Sequence, residues 1–240
     1  WELESETRIV GFDADLNPIV ALELAVSGNS ATVTATLLQN YGLHPDVTID
    51  DLADLGSIAV VALDADGDVG SGIVNLSVSD DVPRISAGGS AAGLLLVDET
   101  NLGVDATADF KTLFNLVLGA DQAGSHTDYR FDVTTASGLT DVATGSKINL
   151  LANGNIVEGR LADMPSTVAF RLTVASDGTA TLDQMRAVKH SDASNPNDSV
   201  SLSSTLIRLT ATVTDGDDDS ASATISIGNA LVFRDDGPSI

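Results

Sequence analysis

The sequence contains no cysteine, which excludes disulfide staples and thiolate metal sites. Aromatic residues make up 4% of its 240 residues, with one Trp and two Tyr, so a core must be assembled from Val, Leu, Ile and Ala within a hydrophobic fraction of 43%. Basic residues are also scarce. Eleven Lys and Arg stand against 35 Asp and Glu, for a formal net charge of −24. That argues against nucleic acid as a partner, because phosphate binding needs clustered Lys and Arg. It argues equally against anionic membrane surfaces. No apolar run approaches the ~20 residues of a membrane span, so direct membrane insertion is not expected. The opening Trp1-Glu2-Leu3-Glu4 is the reverse of the basic start of a signal peptide, and the chain reads as a fragment of something longer.

What is present is acid. A charge this large favours a monomer and strains the compact state by self-repulsion, which bound divalent cations would relieve. Disulfides often staple secreted domains. A secreted chain without them needs another staple, and calcium is the obvious candidate.

The sequence also repeats itself. "IVALELAVSGNSATVT" (19–34) resembles "TVAFRLTVASDGTATL" (167–182) at an offset of 148. Asp66-Gly67-Asp68 lies over Asp215-Gly216-Asp217 at 149, with Val74, Leu76 and Val78 over Ala223, Ile225 and Ile227. "LHPD" (43–46) answers "KHSD" (189–192), and "DDVPRI" (80–85) answers "DDGPSI" (235–240). The repeat unit is therefore about 150 residues. Residues 1–82 hold the C-terminal half of one unit and 83–240 one complete unit.

Alternation of period two predicts strands almost throughout. In 206–213, Ile207, Leu209, Ala211 and Val213 alternate with polar residues, and Ala223, Ile225 and Ile227 resume the pattern beyond an Asp-rich turn, so a hairpin is expected. Similar runs occur at 20–26, 129–133 and 168–174. In 105–118, Phe110, Leu113, Phe114 and Val117 have helical spacing, which leaves one short helix open there. The expected class is all-β: tandem β-sandwich modules, immunoglobulin- or cadherin-like, with Asp-rich calcium-binding turns.

The segments "VDETNLGVDATADFKTLFNLVLGADQAGSHTDYRFDV", "NGNIVEGR", "HSDASNPNDSVSL", "TATVTDGDDDSASATISI" and "DDGPSI" carry a family resemblance. Together they resemble the long repeat domain of type I secreted RTX (repeats-in-toxin) giant adhesins of Gram-negative bacteria, over all of 83–240 and as a partial copy over 1–82. The resemblance implies a module of a very large, calcium-dependent surface adhesin, secreted by a type I system and active in cell adhesion and biofilm formation. Its first partners would be neighbouring repeats of the same chain. The glycine-rich nonapeptide calcium repeats of RTX toxins are absent, and the first copy departs from the second in having "DADGDVGSG" for "DGDDDSAS".

The candidate ligands are carboxylates. Asp64, Asp66 and Asp68 form one D-x-D-x-D run and Asp215, Asp217 and Asp219 another, with Asp218 expected to face water. Calcium takes six to eight oxygens at about 2.3–2.6 Å, and alternating carboxylates on a tight loop can converge on one ion. A solvated Asp-Gly turn is the competing reading. Asp80 and Asp81 before Pro83, and Asp235 and Asp236 before Pro238, could share a calcium at repeat joints, with Asp98 and Glu99 in the same cluster; the alternative is an acidic linker. "HSDASNPND" (190–198) reads as an Asx-rich turn without an ion.

Catalytic constellations are missing. His44, His126 and His190 are isolated, and no H-E-x-x-H, G-x-S-x-G or Walker loop occurs. His44 and His190 occupy equivalent repeat positions, which fits a structural role. An enzyme is not expected. Two functions follow: a calcium-rigidified structural extender of a surface adhesin, or a calcium-dependent module that captures a host or biofilm glycan or peptide through the loops 119–129 and 190–198.

Overall fold

A computed structural model describes residues 1–28, 30–39, 41, 52–119, 122, 124–192 and 194–236. The chain divides into two compact units. The first holds Trp1–Val82, Gly119–Ala123 and Gly216–Asp219, the second Pro83–Leu118, Gly124–Asp215 and Ser220–Ile240. The fold is all-β. Every helical segment among the described residues is a 3₁₀ turn of three or four residues.

In the first unit, β1 (Glu2–Ser5), β2 (Arg8–Phe12), β3 (Pro18–Ser27) and β4 (Ser30–Leu37) form an antiparallel sheet in that order, and β5 (Leu52–Leu63) pairs with β6 (Val69–Ser79) as a long hairpin. The core is small. Val20 and Leu22, two apart and so on one face of β3, meet Leu76 of β6, with Ile9, Val33, Leu55, Ile58 and Val74 partly buried around them.

The second unit has a single large core. Its strands are β7 (Arg84–Ala87), β8 (Leu95–Asp98), β9 (Ala106–Asp109), β10 (Phe114–Val117), β11 (His126–Val133), β12 (Ala136–Thr140), β13 (Lys147–Asn153), β14 (Ile156–Leu161), β15 (Val168–Val174), β16 (Thr179–Gln184), β17 (Ser199–Ser201), β18 (Ile207–Thr214), β19 (Ser220–Ser226) and β20 (Leu231–Arg234). A six-stranded sheet runs β12-β13-β14-β15-β16-β9; three-stranded sheets run β11-β18-β19 and β17-β20-β8. The inward residues of all three meet in one core, as in a β-sandwich. Phe170 of the six-stranded sheet packs on Phe233 of β20, with ring centroids 5.1 Å apart. Alternation decides which residues enter: Ile207, Leu209, Ala211 and Val213 of β18 are all fully buried.

The short helix left open over 105–118 is one 3₁₀ turn, Phe110–Leu113, between two strands. A 3₁₀ helix has three residues per turn, so residues three apart eclipse. This buries Phe110 and Leu113 together and leaves Val117, on a strand, 63% exposed.

The internal repeat is visible as topology. The order β1-β2-β3-β4 is that of β13-β14-β15-β16, and the hairpin β5-β6 corresponds to β18-β19. Gly11 of β2 and Gly159 of β14 each stand immediately before a shift of register with the next strand. The expected overlay of the Asp-rich turns, however, is two residues out. Leu63 pairs with Val69 and Thr214 with Ser220, so the turns 64–68 and 215–219 are equivalent. Asp64, Asp66, Gly67 and Asp68 then answer Asp215, Asp217, Asp218 and Asp219, and buried Leu76 answers buried Ile227. A two-residue slip keeps every side chain on its face, so the hydrophobic pattern alone does not detect it.

Candidate metal centres

The two turns are built alike and differ in burial. In the first, the Asp64 carboxylate accepts the backbone N–H groups of Asp66, Gly67 and Asp68 at 3.2, 3.0 and 2.8 Å, an Asx-type closure. Asp64, Asp66 and Asp68 bring ligand oxygens within 4.8 Å of one another, and all three are exposed. In the second, Asp215 and Asp219 are each only 2% exposed, while Asp218 is exposed. Asp217 and Asp219 converge with Asp80, their oxygens again within 4.8 Å, and all three belong to the first unit. Asp80 is 7% exposed. Asp215, expected as a ligand of the same turn, is not one of the three residues of this group.

The paired aspartates repeat a local device. Asp80 Oδ1 accepts the Asp81 amide at 3.0 Å, and Asp235 Oδ1 accepts the Asp236 amide at 3.0 Å. In each pair the first carboxylate turns inward into a cluster and the second residue is exposed. Asp81 and Asp236 are not among the residues that converge with Asp80 or Asp235. Nor is Asp98: it caps the 3₁₀ turn Glu99–Asn101 by accepting the Thr100 amide, and lies 3.8 Å from Arg234. Hydrogen bonds from Thr100 hold its carboxyl below the usual range.

Glu99 and Asp235 come together through strand pairing. β20 runs parallel to β8 with Arg234 opposite Asp98, so the next residue of each strand, Asp235 and Glu99, emerges from adjacent strand ends. His190 completes the group, its ring nitrogen within 4.8 Å of both carboxylates. Glu99 is 7% exposed, and its Oε1 accepts the Gln184 side-chain amide at 2.7 Å and the Val188 backbone N–H at 2.8 Å. Burial pushes the Glu99 carboxyl up, against the pull of these donors.

The loop 190–198 is held by its own carboxylates. Asp198 accepts the amides of Ser191, Asp192 and Ser199, Asp192 accepts from Ser194, and the Asp235 amide donates to the Asp198 carbonyl at 2.8 Å. Its described part is thus an Asx-rich turn that fixes His190 at its start. His44 and the rest of "LHPD" lie outside the described residues, as do residues 237–240 of "DDGPSI".

A family model described as a domain of unknown function, DUF5801, matches residues 94–228. The chain belongs to the DUF5801 family. No curated protein matches it. The DUF5801 match takes in Glu99, His190 and the turn 215–219 and ends before Asp235.

The group of Asp80, Asp217 and Asp219 offers carboxylate oxygens alone, a donor set that could hold a hard divalent cation. His190 is the residue to which sequence reasoning gave only a structural role. Its signal was present in "KHSD", but no ligand partner stands near it in sequence. No helix among the described residues is long and apolar enough to cross a membrane.

Proposed function

We propose that the chain is a calcium-stabilised structural module of a large secreted bacterial surface adhesin, a non-catalytic extender built from repeats of about 150 residues that supports adhesion and biofilm formation. The observation that carries the reading is the convergence of Asp80, Asp217 and Asp219, two of them at least nine-tenths buried, in a chain of net charge −24. Two carboxylates within 4.8 Å repel by at least about 3 kcal/mol at an effective dielectric of 20. A hard divalent cation turns that repulsion into attraction. The RTX-adhesin resemblance of the sequence supports the cellular setting, and the described part of the loop 190–198, tied to its own amides, favours a structural part over a ligand-capturing one.

Two measurements test the reading. Calorimetric titration of the chelated chain with calcium should show saturable binding, and an antibody raised against the chain should label intact cells of the source bacterium in calcium. A flat titration refutes the calcium role; labelling confined to lysed cells refutes the surface role.

A further inference from the structure

We propose that Glu99, His190 and Asp235 form a second kind of metal site, one for an imidazole-binding divalent transition ion of which Zn²⁺ is the representative. The proposal is independent of the calcium reading, because it rests on other residues and other ligand chemistry.

The decisive feature is the state of His190. Its side chain is 6% exposed, and neither ring nitrogen has a hydrogen-bond partner among the described residues. A neutral imidazole carries one N–H donor and one acceptor, and leaving both unmatched in a buried site is unfavourable. The ring nevertheless points at a carboxylate: Nε2 lies 3.5 Å from Glu99 Oε1, beyond hydrogen-bond length and in ion-pair range only for a protonated ring. Metal ligands at about 2.0–2.2 Å in a tetrahedron are separated by roughly 3.4 Å, so this spacing already fits two corners of a zinc shell. Asp235 supplies a third ligand oxygen within 4.8 Å of both.

The choice of ion follows from the donors. One nitrogen and two carboxylates are a mixed set that suits zinc-like ions, whereas calcium prefers oxygen alone. The surroundings match a built ligand sphere. The Gln184 and Val188 N–H groups orient the Glu99 carboxylate, the role that outer-shell donors play around metal ligands. The Asp198 carboxylate anchors the residues just after His190, and the Asp198 carbonyl anchors the Asp235 amide, so one loop positions two of the three ligands.

The test uses the whole chain stripped of metal and then held in millimolar calcium, which competes with zinc for oxygen-only ligand sets. Zn²⁺ is titrated by calorimetry, and the histidine ring ¹⁵N signals are followed by NMR, with His126, 56% exposed, as internal reference. The expected result is one tight equivalent of zinc that shifts the His190 ring signals, at least about tenfold weaker in His190→Gln and unchanged in His126→Gln. Equal zinc affinity in His190→Gln, or zinc binding that leaves the His190 ring signals in place, overturns the proposal. If His190→Gln fails to fold, Asp235→Asn and the wild-type ring signals decide the matter by the same criteria. Displacement of the zinc by calcium also overturns it, since the ligand set then shows no preference for a nitrogen-binding ion.

Discussion

Asp218 stands in the turn 215–219 where Gly67 stands in the turn 64–68, and both have left-handed backbone, with φ of 78° and 97°. Glycine adopts that conformation freely, whereas an L-residue is strained there by up to about 1–2 kcal/mol, less for Asp. Asp218 is exposed and lies outside the group formed by its neighbours. Asp218→Gly should therefore raise stability by about 0.5 kcal/mol net of the extra freedom glycine has when unfolded, and the gain should persist in calcium. Thermal melts check it. A loss confined to calcium would assign the Asp218 carboxylate to the cation.

The neighbouring carboxylates should behave in the opposite way. Calcium bound only by the folded state stabilises by about 2.7 kcal/mol at a hundredfold excess over Kd. In Asp217→Asn with Asp219→Asn, charge leaves while side-chain size stays. The double variant is expected to melt lower than the parent in millimolar calcium and higher in EDTA. A gain under both conditions would mark the turn as merely crowded. Magnesium should substitute poorly, since it demands tighter octahedral geometry.

A buried ion pair sets the acid limit. Asp141, 1% exposed, takes Arg186 Nε and Nη2 at 2.8 and 2.9 Å, together with the Thr144 amide and hydroxyl. The Arg186 hydrogen bonds above all hold its carboxyl down at about 2, from an ordinary 3.8. A depressed carboxyl stabilises the fold above its unfolded pKa, and that share, about 2 kcal/mol, is lost as pH falls from about 4 to about 2. Urea titrations at pH 6 and pH 3 should show the loss in the parent and a smaller one in Asp141→Asn. At neutral pH, Asp141→Ala should cost about 2–3 kcal/mol, moderated because Arg186 is partly exposed.

Gly159 is a notch for Phe170. A Cβ at Gly159 would lie 2.2 Å from Phe170 Cε1 and 2.5 Å from Cζ. That ring is fully buried against Phe233 and has nowhere to retreat. Gly159→Ala should lose about 2–3 kcal/mol, and Phe170→Leu in the same chain should recover part of it. Chemical denaturation of the single and double variants measures this; purely additive losses would show that the notch does not hold the ring.

What could be read from the sequence was whatever has a period. The strand β18, the hairpin to β19 and the all-β class follow from the alternation of Ile207, Leu209, Ala211 and Val213. The eclipsed pair Phe110 and Leu113 was ambiguous because a 3₁₀ turn and an α-helix share the three-residue spacing. The overlay of the two Asp-rich turns missed by two residues because a slip of two changes no face. Convergence was harder to see. Asp80 meeting Asp217 and Asp219, Arg186 finding Asp141, and Glu99, His190 and Asp235 gathering at one point are all long-range events. The last depends on parallel pairing of β8 with β20 near opposite ends of the second unit, and no local pattern announces a parallel neighbour so far along the chain.

The slight core of the first unit has a colloidal consequence. With Val20, Leu22 and Leu76 as its buried cluster, this unit leaves Leu3, Leu52, Leu63, Val69 and Ile73 each at least 66% exposed. Burial does little to hide that apolar surface, so like charge is what keeps one molecule from adhering to the next. That protection vanishes at the isoelectric point, near 4.1, where enough carboxylates have been protonated for the rest only to balance the bases. Mild acid should therefore drive precipitation through the first unit, at a pH where the Asp141–Arg186 pair still helps hold the second one folded.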